Sequence, residues 1–209
     1  NLINRNNKLL YVVGDSHSLA SHLLKIDFLG NKFICNAKLI MGCKQWHLGN
    51  LQNNQYKRKF ELIINYLPKY SYVLLSIGEI DCRIDEGIIQ YAKKNKTRDI
   101  KKIIKKTIHD YFNYIVLNNL KNKHKIIIQG VPCPNLDLNI YTHDDIRKLT
   151  MVVDQFNKEL IKQSKEKKFK FLDLHKLTNR GDGYSNKIWH LEDIHLSPSA
   201  MQEAWNNYI

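Results

Sequence analysis

The chain has 209 residues, 43% of them hydrophobic and 25% charged, which is ordinary for one globular domain whose own core needs no disulfide or metal staple. Its longest apolar runs are strand-sized, so we expect no membrane span, which would need ~20 apolar residues. The net charge of +13 comes from 33 Lys and Arg against 20 Asp and Glu, but basic runs without interleaved aromatic residues favour solvated helix faces over a specific nucleic-acid groove.

The predicted elements alternate between strands and helices along the chain. Residues 8–13 form an apolar run that ends at Gly14, as a buried parallel strand does. Residues 18–29 keep their apolar side chains at helical spacing. The predicted strands are residues 8–13, 32–37, 71–77, 124–130 and 170–174. The predicted helices are residues 18–29, 56–67, 99–119, 144–165 and 197–208, the last with Ser197 as N-cap and Pro198 at its first position.

Five strands that alternate with helices predict a parallel sheet covered by helices on both faces. The expected fold is therefore α/β, a three-layer α/β/α sandwich built as one domain over residues 1–209. Ligands of such sheets bind outside the carboxyl ends of the strands. Because the chain begins at Asn1 and shows no signal-peptide pattern, we interpret it as a mature form or as a domain of a larger polypeptide.

The four cysteines include no C-x-x-C pair, so neither a zinc site nor a redox motif is expected. The histidines likewise show no metal-ligand spacing. We therefore expect free, partly buried thiols and no metal or other cofactor. Free thiols favour a reducing compartment such as the cytoplasm, but they do not establish one.

The first segment that carries chemistry is Gly-Asp-Ser-His at residues 14–17, directly after the first predicted strand. A serine at this place stands at the carboxyl edge of the sheet, beside a helix N-terminus whose N–H groups can stabilise a developing oxyanion. This context fits a nucleophilic Ser16. It fits a serine N-cap with a glycine in the turn equally well.

A second segment, residues 78–83 (Gly-Glu-Ile-Asp-Cys-Arg), follows the third predicted strand and is expected at the same edge of the sheet. Gly78 would let the backbone approach a ligand closely. The alternative interpretation is a turn held by an ion pair between Asp81 and Arg83.

A third segment, residues 192–198, precedes the last predicted helix. Within it His195 follows Glu192 by three residues and Asp193 by two. A histidine that a nearby carboxylate orients through its second ring nitrogen is the base of a catalytic triad.

In the order and context of these segments, the chain resembles the SGNH (GDSL-like) hydrolase superfamily, whose flavodoxin-like three-layer fold has a five-stranded parallel sheet. That superfamily includes esterases, lipases and carbohydrate O-acetyl enzymes. The resemblance implies that Ser16 is the nucleophile and His195 its base. It also implies that the N–H groups of Ser16 and Gly42 form the oxyanion hole. We expect Asp15 to fix the Ser16 loop through backbone hydrogen bonds and Asp81 to do similar work opposite it.

One departure from the superfamily lies in its third block, Gly-x-Asn-Asp, which corresponds to residues 78–81 here. The asparagine, normally a side-chain donor to the oxyanion, is Ile80. Loss of one such donor typically costs ~10²–10³ in turnover. We expect either a slow enzyme or a substitute donor from His17, Arg83 or the backbone near Gly78.

The other departure lies in the last block, Asp-x-x-His, where Glu192 occupies the aspartate position and Asp193 comes one residue later. Glu192 has the spacing and is the preferred partner of His195, whereas Asp193 has the residue type. A Ser-His dyad assisted by a backbone carbonyl is a further alternative.

These residues predict a serine-dependent acyl-ester hydrolase that works through an acyl-Ser16 intermediate. The preferred reaction, suggested by the resemblance alone, is removal of acetyl groups from a carbohydrate. The alternatives are a glycan O-acyltransferase that uses the same Ser16 and His195, and a non-catalytic glycan-binding module, which Ile80 favours. The expected partner is thus a small acyl ester or an acylated glycan.

Overall fold

A computed structural model of the chain describes residues 8–97, 99–137 and 140–208. The strands are β1 (Lys8–Gly14), β2 (Lys25–Phe28), β3 (Asn31–Leu39), β4 (Tyr72–Ser76), β5 (Lys125–Gln129) and β6 (Lys170–Leu172). The α-helices are α1 (Gln45–Gly49), α2 (Gln55–Tyr66), α3 (Glu79–Cys82), α4 (Ile88–Lys94), α5 (Ile100–Asn119), α6 (His143–Glu166), α7 (Leu174–Thr178) and α8 (Pro198–Asn206). A 3₁₀ helix covers Ser16–Ser21.

The strands form one sheet in the order β2-β3-β1-β4-β5-β6. β1 lies in its middle, between β3 and β4, and pairs parallel with both. Tyr11 and Val13 of β1 belong to a core shared with buried residues of α2, α5 and α6. Leu10 and Val12 face the other side and share a second core with α7 and α8. The prediction of a sheet covered by helices on both faces is therefore confirmed, and the predicted parallel pairing holds for every strand pair except β2 with β3.

The sheet has six strands rather than the predicted five, and the predicted helix over residues 18–29 is wrong. The 3₁₀ helix ends at Ser21, and β2 then pairs antiparallel with β3. Leu29 and Gly30, with φ of 51° and 70°, form the two-residue turn between them, as in hairpins whose central residues both have positive φ. The apolar spacing is misleading because Ile26 and Phe28 are buried by strand alternation.

The other predicted strands and helices are confirmed, with ends that agree within two residues. Ser197 caps α8 as expected, since its side chain accepts a hydrogen bond from the N–H of Ala200. Four short helices were not predicted, namely α1, α3, α4 and α7. Hydrophobic periodicity needs a window of about 11 residues or more, so helices of this length leave no periodic signal.

Two further observations concern the described chain as a whole. All four cysteines are free and buried. Within residues 8–97, 99–137 and 140–208, no helix is long and apolar enough to cross a membrane.

Candidate active site

The turn that carries Ser16 is fixed by close contact between β1 and β4. A Cβ atom on Gly14 would lie 2.0 Å from the carbonyl oxygen of Ser76, so only glycine allows the two strands to meet here. The next residue, Asp15, donates its N–H to the same carbonyl at 3.2 Å. The sequence Gly14-Asp15 thus directs the chain off the strand and places Ser16 at the carboxyl edge of the sheet.

Asp15 then holds the first turn of the 3₁₀ helix. Its carboxylate accepts the N–H of His17 at 2.9 Å, and its carbonyl accepts both the N–H and the hydroxyl of Ser18, at 3.0 and 2.7 Å. Burial raises the pKa of the Asp15 carboxyl to about 6, although the charge of His17 and its N–H oppose the rise. Asp15 therefore supports the Ser16 turn, and the N-cap of this helix is Asp15 rather than Ser16.

Three side chains form a continuous line at this edge. Ser16 Oγ lies 2.9 Å from His195 Nε2, and His195 Nδ1 lies 2.7 Å from Asp193 Oδ2. Residues 179 positions apart in the sequence thus meet because β1 ends beneath the segment that leads into α8. The order hydroxyl, imidazole and carboxylate is that of a nucleophile, its base and the group that orients the base.

The carboxylate in this line belongs to Asp193, so the preference for Glu192 is corrected. Asp193 Oδ1 accepts a hydrogen bond from the backbone N–H of His195 at 2.8 Å, while Asp193 Oδ2 bonds to Nδ1 of the His195 ring. An aspartate side chain is short enough to bond the residue two positions on, and here it bonds both the backbone and the ring of that residue. These two hydrogen bonds from His195 hold the pKa of the Asp193 carboxyl below its usual value. Glu192 is exposed.

Contacts on both sides hold the His195 segment in place. The N–H of Leu191 donates to the His195 carbonyl at 2.8 Å, which closes a small loop around Asp193. The side chain of Asn135, in the loop after β5, donates to the Asp193 carbonyl at 2.7 Å. Sequence reasoning missed Asn135, because nothing in its local sequence distinguishes it from any other loop asparagine.

The side chain of His17 packs directly against the base. The rings of His17 and His195 are stacked with their centroids 4.7 Å apart and an interplanar angle of 29°. His17 Nε2 lies 3.1 Å from Glu79 Oε2, and Arg83 donates to the same oxygen through Nε at 2.9 Å and Nη2 at 2.8 Å. Arg83 also pairs with Glu86 at 3.1 Å. Sequence reasoning did not assign Glu79 to the site.

Asp81 supports the loop that carries Gly42, opposite the Ser16 turn. The alternative ion pair with Arg83 is not formed, because Arg83 is bound to Glu79 and Glu86. The buried carboxylate of Asp81 accepts the N–H groups of Gln45 and Trp46 at 2.7 and 3.1 Å, at the start of α1. Burial raises the pKa of Asp81 to about 7, although these two hydrogen bonds oppose the rise.

The loop that carries Gly42 extends β3 along the end of β1. The N–H of Ile40 donates to the Gly14 carbonyl at 2.6 Å, and Gly42 turns the chain with φ of 70°. Among the described residues, the backbone N–H groups of Ser16 and Gly42 donate to no protein acceptor. Both N–H groups are therefore available at the edge where Ser16 lies.

The position of the missing asparagine donor offers no replacement side chain. Ile80 is buried, and His17 and Arg83 are both bound to Glu79. The neighbouring Gln45 is bound as well, because its side-chain N–H donates to the Ile77 carbonyl at 2.7 Å. Of the substitute donors considered from the sequence, the backbone near Gly78 is the one whose N–H has no acceptor among the described residues.

A cavity of about 200 Å³ lies beside the His195 segment, between the end of β4, the loop after β5 and α6. One part of its wall is polar and carries Glu79, Arg83, Asp85, Glu86 and Asn135. Apolar side chains from several elements form another part: Ile84, Val131, Leu136, Leu149, Val153 and Ile194.

No protein-family model and no curated protein sequence matches the chain. Solved structures do match it over nearly its whole length. An acetyl xylan esterase is 15% identical, with a TM-score of 0.58 over 94% of this chain and 96% of its own. Phospholipase A1 from Streptomyces albidoflavus is 13% identical, with a TM-score of 0.56 over 96% of each chain. An extracellular lipase from Streptomyces rimosus is 10% identical, with a TM-score of 0.59 over 97% of this chain and 100% of its own.

These similarities show that the chain has the fold of that esterase, that phospholipase and that lipase. The resemblance that the sequence motifs indicated is therefore confirmed at the level of the fold. Sequence identities of 10–15% do not assign the substrate of any of those proteins to this chain.

Proposed function

We propose that the chain is a serine ester hydrolase in which Ser16 is the nucleophile, His195 the general base and Asp193 the residue that orients the base. The observation that carries this proposal is the unbroken line of hydrogen-bonded side chains from Ser16 through His195 to Asp193, at 2.9 and 2.7 Å. Both distances lie within the range required for proton transfer and orientation in such a triad.

The mechanism follows from this line. His195 Nε2 takes the Ser16 proton while Ser16 Oγ attacks the ester carbonyl, and Asp193 stabilises the imidazolium that forms. His195 then gives the proton to the leaving alkoxide, which departs and leaves an acyl-Ser16. A water molecule activated by His195 attacks that ester, releases the carboxylic acid and restores the free hydroxyl of Ser16.

We assign the oxyanion hole to the N–H groups of Ser16 and Gly42. Their lack of protein acceptors supports this assignment, because a preorganised donor must be free to bind the developing charge. With Ile80 in place of a side-chain donor, the site has one donor fewer than its superfamily pattern. We therefore expect turnover ~10²–10³ below that of a site with the full set of donors.

The preferred substrate is an acetyl ester of a carbohydrate, in line with the acetyl xylan esterase among the similar structures. A second candidate is an ester with a longer acyl chain. The apolar part of the cavity that Ile194 lines favours this candidate, because apolar walls gain little from a methyl group but bind a hydrocarbon chain.

Turnover of p-nitrophenyl esters of increasing chain length tests both the activity and the choice of acyl group. We expect Ser16→Ala to abolish hydrolysis, whereas Ser199→Ala, which removes an exposed hydroxyl on α8, leaves it unchanged. Equal rates in the wild type and Ser16→Ala would overturn the proposal. A rate that peaks at acetate supports the acetyl ester, and one that rises towards octanoate supports the longer chain.

A further inference from the structure

His17 forms a buried wall behind the imidazole of His195. The two rings are stacked with their centroids 4.7 Å apart, and only 5% of His17 is exposed. A wall on one face of the ring limits rotation about the side-chain bonds of His195. That rotation would move Nε2 away from Ser16.

Charged groups at both ends fix the position of His17 itself. Its backbone N–H is held by Asp15, and its ring is held by Glu79. Glu79 cannot move freely, because Arg83 donates two hydrogen bonds to the oxygen that binds the ring. The wall is therefore attached to α3 as well as to the Ser16 turn, and its position does not depend on substrate.

Charged and titratable groups face His17 from every element packed against it. The Ser16 turn contributes Asp15, α3 contributes Glu79 with Arg83 just beyond it, and the segment before α8 contributes three residues: His190, Asp193 and His195. Two of the buried polar atoms here, Asp15 Oδ2 and His17 Nδ1, have no hydrogen-bond partner.

The balance of these groups favours a charged His17. Burial lowers the pKa of His17, but the hydrogen bond to Glu79 and the negative charges of Asp15 and Glu79 outweigh it, so the pKa lies above its usual value.

We propose that His17 is a positioning residue for His195: the stacked ring keeps His195 Nε2 directed at Ser16. The inference rests on the proposed function in so far as it gives His195 the role of base. The stacked geometry and the ion pair with Glu79 and Arg83 carry it.

The consequence for turnover follows from the geometry. Without the wall, the His195 ring can rotate away from Ser16, so a smaller fraction of the protein holds the base in place. The loss should appear in kcat with KM nearly unchanged, because a misplaced base weakens the transition state and leaves substrate binding as it was.

His17→Ala and His17→Phe are the matched pair, because alanine removes the wall and phenylalanine keeps a ring that can stack. We expect His17→Ala to lower kcat by about 10-fold or more with KM nearly unchanged, and His17→Phe to recover most of that loss. Glu79→Gln weakens the bond that holds the His17 ring and should lower kcat less than His17→Ala does. The control His109→Ala removes an exposed histidine on α5 and should leave kcat and KM unchanged.

A second readout separates this inference from the proposed function. The mobility of the His195 ring, followed by NMR relaxation in histidine-labelled protein, does not require any turnover. If the wild type hydrolyses no ester, the proposed function fails, while a His195 ring that is more mobile in His17→Ala than in His17→Phe still supports the positioning role. If folded His17→Ala keeps the wild-type kcat and an equally ordered His195 ring, the inference is overturned.

Discussion

Replacing Asp193 with alanine isolates the contact that sequence reasoning assigned to the neighbouring glutamate. Asp193→Ala removes the 2.7 Å hydrogen bond to His195 Nδ1 and the 2.8 Å bond from its backbone N–H. A hydrogen bond to a charged group contributes about 1.5–3 kcal/mol, which corresponds to about a 10- to 150-fold change in rate. With 59% of the Asp193 side chain exposed, water can replace part of the contact, so we expect a loss in the lower part of that range.

The assay is kcat/KM for p-nitrophenyl acetate in Asp193→Ala and in the matched control Glu192→Gln. Glu192 is adjacent in sequence and exposed, so its loss of charge should leave kcat/KM unchanged. The opposite pattern, with Glu192→Gln impaired and Asp193→Ala near wild type, would refute the assignment of Asp193. Equal and small effects in both variants would instead favour a Ser-His dyad.

Two further predictions concern the scaffold. Gly14→Ala would place a Cβ atom 2.0 Å from the Ser76 carbonyl oxygen. We therefore expect the free energy of unfolding to fall by about 3 kcal/mol or more. A variant that unfolds at the same urea concentration as the wild type would contradict this close approach. The pKa of Asp81 is raised to about 7 in the folded state, so the folded protein binds a proton at Asp81 that the unfolded chain releases at about pH 4. The free energy of unfolding should therefore fall by roughly a few kcal/mol as the pH rises from about 4 through 7. Asp81→Asn should flatten this pH dependence of the thermal midpoint, and an unchanged slope would show that Asp81 titrates normally.

The sequence was sufficient to predict the layers of the fold and the segments that meet at the site. Long apolar runs identify β1, β4 and β5, and the parallel topology then brings the residues after β1 and β4 to one edge. The sequence could not predict β2, because Leu23, Ile26 and Leu29 have helical spacing although the chain forms a hairpin. The choice between the two patterns depends on the positive φ of Leu29 and on tertiary packing, which a single segment does not reveal.

Within the site, Ser16 and His195 were predictable because each lies in a distinctive motif beside a predicted element. Their third partner was not, because the distance from a carboxylate to a ring depends on the local turn rather than on sequence spacing. Asp193 reaches His195 by bonding both its backbone and its ring. Glu79 and Asn135 act across distances of 62 and 58 residues, and only the folded chain reveals such contacts.

The central claim, that Ser16 is an activated nucleophile, is tested most directly by covalent labelling with a fluorophosphonate followed by mass spectrometry of the proteolytic peptides. We predict one added phosphonyl group, located on Ser16, formed by the wild type and formed far more slowly by His195→Gln. Labelling should be lost when the protein is denatured beforehand, because the free serine hydroxyl is a weak nucleophile. A folded wild-type protein that remains unlabelled, or that is labelled at another residue, would contradict the account.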